Sequence, residues 1–274
     1  MAWAQVQDLI VVGVASATSV SGAFGSNVTA GNRIVLVSHN NDNTGTGTGG
    51  VTTLSNTGTA VMGTWNKITQ GPNVVAGGFS EVSTTWTARV NATGTLTPIT
   101  TSGHATSQLS YVAREYSGLH FADDLTCVDI SAVALAASVN GGVTTGANEL
   151  VVVGGTDDGV SGTPTVAAGY GHFIFSGSSS ACESGMEDKD SGAAASTVNS
   201  ANPAFAGTGI VKYTHIIIFK LPVVLAGQSI APGRTWQRRY WKGHRQTPLP
   251  LSPIVAPPSG VDPGSQIVFG YGSN

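Results

Sequence analysis

The chain has 274 residues, enough for one large β domain or two small ones, and only 10% of them are charged, against the ~25% usual in globular proteins. Glycine, serine, threonine, alanine and asparagine take their place, and a net charge of −3 excludes a general electrostatic pull towards nucleic acid or an anionic membrane. No stretch approaches the ~20 apolar residues needed to cross a bilayer as a helix.

In chain order, the first apolar run is Leu9–Ala15. It is too short for the apolar region of a secretion signal, Asp8 abuts it and no base precedes it, so it reads as a strand and not as a signal peptide. Further strands are expected at Arg33–Ser38, Ala60–Thr69, Phe79–Val90, Gln108–Tyr116, Cys127–Val133, Glu149–Gly154, Gly171–Ser176, Ala193–Val198 and Ile210–Leu221. Clusters of Gly, Asn, Thr and Ser separate them. In Phe79–Val90, Trp86, Ala88 and Val90 fall on one face and Thr85, Thr87 and Arg89 on the other, which predicts one buried and one wet face. The last run, with Ile216, Ile217, Ile218 and Phe219 in succession, suits a strand covered on both faces. No segment has the period of an amphipathic helix. Asn40–Gly50 and Ser176–Ala195 are low in complexity and read as exposed loops. The expected fold is therefore all-β, a two-sheet antiparallel sandwich or jelly-roll-like body over residues 1–221.

Residues 222–274 differ in kind. They hold eight of the twelve prolines, and their net charge is +4 where the body carries −7. Proline removes the donors that helices and central strands need, so this segment reads as an extended C-terminal arm without a core of its own. Within it Trp236, Arg238, Arg239, Tyr240, Trp241 and Arg245 interleave aromatic rings with bases. Such a patch can stack on nucleobases, but it matches the Trp, Tyr and Arg anchors of protein interfaces better. Residues 246–258 suit polyproline geometry, and Ser265–Tyr271, with Ile267, Phe269 and Tyr271, could add a strand to a neighbouring sheet.

The order of several segments carries a resemblance. A strand headed by Gly31-Asn32 comes first, then a Trp-bearing pair (Trp65, Trp86), then Glu115-Tyr116-Ser117-Gly118, then Thr145-Gly146-Ala147-Asn148-Glu149-Leu150-Val151-Val152, and finally a strand ending at Phe219-Lys220. Over residues 8–221 the chain resembles a β-sandwich domain of tailed-phage virion structural proteins that also occurs in bacterial surface proteins. That resemblance implies a structural or adhesive module without catalytic residues. On the physics of the residues alone, Asn148 and Glu149 sit at a turn before a buried strand. Tyr116 packs at a sheet end, and Gly118 relaxes the backbone for a turn.

The motifs of catalysis are missing: there is no G-x-S-x-G, no H-E-x-x-H and no G-x-x-x-x-G-K-[ST]. The six histidines, His39, His104, His120, His172, His215 and His244, have no metal-ligand spacing. The acid pairs Asp123-Asp124 and Asp157-Asp158 and the run Glu187–Asp190 read as solvated turn carboxylates and not as calcium ligands. Cys127 and Cys182 are equally compatible with a disulfide and with two thiols. Catalytic, cofactor and metal sites are therefore expected to be absent. The expected role is a head decoration or minor capsid component that forms homo-oligomers and binds other virion proteins through the arm. A tail, baseplate or fibre accessory, or a module binding a host surface glycan through Trp65, Trp86, Phe79 or Tyr170, is the alternative.

Overall fold

The structure is a computed structural model that describes residues 3–42, 52–70, 74–76, 79–103, 107–119, 125–128, 139–143, 148–157, 166, 168–177, 182–192, 197–200 and 212–219. All of them belong to the first of two compact units, Met1–Leu225 and Ala226–Asn274. Among them every regular element is a strand. In chain order these are β1 (Ala4–Ala17), β2 (Ser19–Ser21), β3 (Arg33–Asp42), β4 (Thr53–Thr57), β5 (Val61–Met62), β6 (Asn66–Gln70), β7 (Val74–Ala76), β8 (Phe79–Ala92) and β9 (Thr97–Thr101). They continue with β10 (Ser107–Ser117), β11 (Leu125–Val128), β12 (Val139–Val143), β13 (Leu150–Asp157), β14 (Gly171–Phe175), β15 (Glu183–Asp190), β16 (Thr197–Ser200) and β17 (Lys212–Phe219).

The central sheet runs β1-β10-β3-β8, with β5, β6 and β7 all pairing β8. A second sheet runs β11-β17-β13-β15-β14, a small one runs β2-β9-β4, and β12 pairs β16. All the pairings are antiparallel. The all-β sandwich expected from the sequence is what the chain builds.

Period-two alternation fixes what each face of the central sheet does. Ile34 and Leu36 of β3, Trp86 and Val90 of β8, and Leu109 and Tyr111 of β10 share one core with Val20 of β2, Phe24 and Leu96. On the opposite face, Val35, Val37 and Val112 meet Leu150, Val152, Met186 and Ile217 of the second sheet. At Gly154 the sheets come so close that a Cβ would lie 2.5 Å from Val37 Cγ2.

At β3, β8 and β10 the central sheet is thus buried on both sides, which corrects the expected wet face of β8. Thr85 and Thr87 are fully buried because the second sheet covers them. The run Asn40–Gly50 is a loop only in part, since Asn40 and Asn41 continue β3 and are buried. The expected strand Ala60–Thr69 breaks into β5 and β6. The expected loop Ser176–Ala195 contains β15, which sits between β13 and β14 with Glu183, Glu187 and Asp188 buried. Glu187 and Asp188 are thus buried strand residues and not solvated turn carboxylates, whereas Asp190, at the exposed end of β15, accepts from Gly192 N at 2.8 Å in a turn.

Other expectations hold. Ile216, Ile217, Ile218 and Phe219 are buried on both faces of β17. Asn148 takes a left-handed φ of 59° directly before β13, and Gly118 takes 76° directly after β10. The alternative left open for the cysteines is decided at Cys182, which is a free, buried thiol.

Candidate functional site

The largest concentration of charge inside the sandwich surrounds Arg114. In β10, Val112, Arg114 and Tyr116 share the face turned to the second sheet, and the register sets Arg114 beside Asp8 of β1. Arg114 is fully buried, and its guanidinium is divided between two carboxylates. Nε donates to Asp8 Oδ1 at 2.5 Å, Nη2 to Asp8 Oδ2 at 3.1 Å and Nη1 to Asp188 Oδ2 at 2.6 Å. Nη2 also donates to the His172 carbonyl. Tyr116 donates its hydroxyl to Asp188 Oδ2 at 2.8 Å, and His172 Nδ1 lies 2.7 Å from Asp188 Oδ1.

Burial by itself would weaken the guanidinium's charge. The hydrogen bond to Asp8 and the charges around it win, and they hold Arg114 above its ordinary pKa. Burial, reinforced by the Asp188 charge and opposed by Arg114, pushes the Tyr116 hydroxyl well above its usual value. The group therefore ties β1, β10, β14 and β15 together across both sheets. His172 is its one exposed member, with 53% of its side chain open and its backbone at φ 47°. It sits where the β14–β15 register shifts between Gly171 and Ile174, a bulge that re-aims the ring onto Asp188.

On the other face of β10, Glu115 is equally fixed. Its buried carboxylate accepts from Thr29 N at 2.7 Å, Asn32 Nδ2 at 2.6 Å and Gln7 Nε2 at 2.6 Å. Further along the same β-sheet, Tyr111 receives Gly22 N at 2.8 Å and donates to Pro98 O at 2.8 Å, which joins the small sheet to the central one. Burial pushes its hydroxyl above the ordinary range, against the weaker opposing effect of the Gly22 hydrogen bond.

A third polar group fills the far end of the space between the sheets. His39 Nε2 faces Glu81 Oε2 at 3.4 Å, His215 Nε2 meets Ser83 Oγ at 2.8 Å, and Tyr213 donates to Glu81 O at 2.8 Å. Ser110 and Ser184 meet at 2.8 Å, and the Cys182 thiol reaches the carbonyls of His39 and Gln108 at 3.4 and 3.3 Å. These side chains are closed off from solvent, so no reactant reaches them without parting the sheets.

The sequence-predicted site residues of the arm, Trp236, Arg238, Arg239, Tyr240, Trp241, Arg245, Ile267, Phe269 and Tyr271, lie outside the described residues. So do His104, His120, His244, Asp123, Asp124 and Asp158. Of the aromatic residues considered for glycan stacking, Trp86 is buried in the core. Trp65 packs against the same core and donates Nε1 to Asn56 Oδ1 at 2.8 Å. Tyr170 packs against the apolar outer face of β13 and β17 with the Lys189 ammonium 4.3 Å from its ring centre. The Phe79 side chain lies outside the described residues.

Among the described residues no three His, Cys, Asp or Glu side chains converge as metal ligands would, and no helix is long and apolar enough to cross a membrane. Of the six large apolar side chains exposed among the described residues, four lie on one strand: Val6, Ile10, Val12 and Val14 of β1 are each 44–48% exposed. The Arg114 group is hidden in the sequence because its members are scattered: Arg114 lies 106 positions from Asp8, 74 from Asp188 and 58 from His172. The one local signal was a charge on the inner face of an otherwise apolar strand. No family model, no curated protein and no solved structure matches the chain.

Proposed function

We propose that the chain is a non-enzymatic structural protein of a tailed-phage particle, a head decoration or minor capsid component. Its β-sandwich body is displayed on the particle, and the segment from Pro222 onward anchors it to other virion proteins. One observation carries the reading: the body spends its ionisable side chains on itself. Arg114, Asp8, Asp188 and Tyr116 close on one another, and Glu115 is saturated by three donors. A catalytic or ligand-binding body keeps such groups at a surface where a partner molecule can reach them. Here they stitch strands together. The resemblance of residues 8–221 to virion sandwich domains and the basic, proline-dense arm add to this. The glycan-binding alternative is weakened, because Trp65 and Trp86 are occupied by the core.

Quantitative mass spectrometry of gradient-purified particles from the host that encodes the chain tests the proposal. The expected result is the chain at a fixed copy number relative to the major capsid protein. Particles of normal composition that lack it would rule the proposal out.

A further inference from the structure

On the face of the central sheet that carries Ile34, Leu36 and Trp86, the alternation continues past the apolar core into polar residues. Along β3 these are Ser38 and Asn40, and Thr84 of β8 lies directly opposite Ser38. The small sheet covers them with β9, whose buried positions Pro98 and Thr100 lead to Ser102 just beyond the strand. Two contacts fix how β9 runs over β3. Tyr111, the β10 neighbour of Ser38, donates to Pro98 O at 2.8 Å, and Asn40 Nδ2 donates to Ser102 Oγ at 3.1 Å. Thr100, midway between Pro98 and Ser102, therefore stands over Ser38 and Asn40.

Ser38, Asn40, Thr84 and Thr100 are all buried, and three of their side-chain oxygens meet no protein group: Asn40 Oδ1, Thr84 Oγ1 and Thr100 Oγ1. The polar groups beside them are already engaged. Ser38 Oγ donates to Thr84 O at 3.3 Å, and Ser102 Oγ meets Ser107 Oγ at 2.5 Å. A buried carbonyl or hydroxyl without a partner costs more than a made hydrogen bond returns, so native proteins close such groups with protein atoms or with solvent.

We infer that a buried water site lies between β3, β8 and β9, bounded by Asn40 Oδ1, Thr84 Oγ1 and Thr100 Oγ1. The class of ligand follows from these atoms. They call for a molecule that donates to an amide carbonyl and can both donate to and accept from a hydroxyl, which water does. Asn40, Thr84 and Thr100 are neutral, so they do not offset the dehydration of an ion. Solvent then bridges the central and small sheets at this end, whereas the apolar core joins them at the other. The site involves neither the arm nor a particle, so it stands or falls separately from the proposed function.

Magnetic relaxation dispersion of the water oxygen nucleus, measured on the full chain, tests it, because the method counts waters held inside a protein and is blind to hydroxyl protons. The parent chain is compared with Thr84→Val/Thr100→Val, which removes two of the three oxygens with little change in shape. A cooperative thermal unfolding transition establishes that the variant folds. The expected result is a dispersion amplitude that falls by one water or more in the double variant and is unchanged in Thr53→Val, on the exposed side of β4. Equal amplitudes in the parent chain and the folded double variant overturn the inference, and so does an equal fall in Thr53→Val. Should the double variant not fold, a crystal structure of the parent chain at near-atomic resolution decides. A solvent peak within ~2.7–3.2 Å of Asn40 Oδ1 and of at least one of the two threonine hydroxyls supports the site. The absence of such a peak, or a metal ion in its place, overturns it.

Discussion

Arg114 shows how one side chain can organise a sandwich. A guanidinium presents several donors in a planar fork, so it can serve two carboxylates and a carbonyl at once, which a lysine cannot do. Removing it leaves Asp8 and Asp188 without their shared cation, with Asp188 fully buried. Arg114→Ala is therefore expected to destabilise the body by about 3–5 kcal/mol, the usual cost of breaking a buried pair by removing one partner. Urea unfolding followed by tryptophan fluorescence measures it, and a loss under ~1 kcal/mol would mean the ionic group is ornamental.

The buried tyrosines make a second prediction. The hydroxyls of Tyr111 and Tyr116 are both held above their ordinary value in the folded state, chiefly by burial. In the unfolded chain they ionise near pH 10. Below that pH both states hold the proton and stability is unaffected. Above it the unfolded state releases protons that the folded state retains, so stability falls as pH rises, by up to ~1.4 kcal/mol per pH unit for each tyrosine. The urea midpoint is expected to decline steeply between pH 10 and 11, and Tyr111→Phe to make that decline shallower. A midpoint flat to pH 11 would contradict the burial of these hydroxyls.

At the scale of elements, β13 is the pivot of the second sheet, and Gly154 lets it approach β3. An added methyl at Gly154 meets Val37 on its rigid β-branched carbon, so Gly154→Ala is expected to cost about 1–3 kcal/mol through overpacking. The pair Gly154→Ala/Val37→Ala is expected to recover part of that loss, which a double-mutant cycle reads directly.

The strands legible in the sequence were those whose apolar residues alternate or run together: β1, β3, β8, β10, β13, β14 and β17. Two kinds of element were not. The strands β2, β4 and β9 are three to five residues long, too short for a period to show. β15 reads Glu-Ser-Gly-Met-Glu-Asp-Lys-Asp, a pattern that local rules assign to solvent. It forms a strand because its partners are remote. β13 and β14 pair its backbone, and Arg114, 74 positions away in sequence, takes up the charge of Asp188. The wet face assigned to β8 failed for a related reason: alternation of Trp and Thr reports which face is more apolar, and threonine is tolerated under a covering sheet when its hydroxyl finds a carbonyl, as Thr87 does at 2.8 Å on Ile34 O.

At the scale of the whole molecule, the chain divides its labour by composition. The body is poor in charge, and Arg114, Asp8, Asp188 and Glu115 find their partners within it. The segment from Pro222 onward is basic, aromatic and rich in proline, and in the proposed function it is the part that lies along a partner. Under that proposal, roughly 50 residues in extended form at ~3.1 Å each would span over ~100 Å.

The measurement that tests this account most directly is co-sedimentation with particles that lack the protein, comparing the full chain with a chain truncated after Leu221. A matched thermal unfolding midpoint for the two establishes that the body is intact. The account predicts saturable binding of the full chain and none of the truncated one. Equal binding of both, or binding of neither, would contradict it.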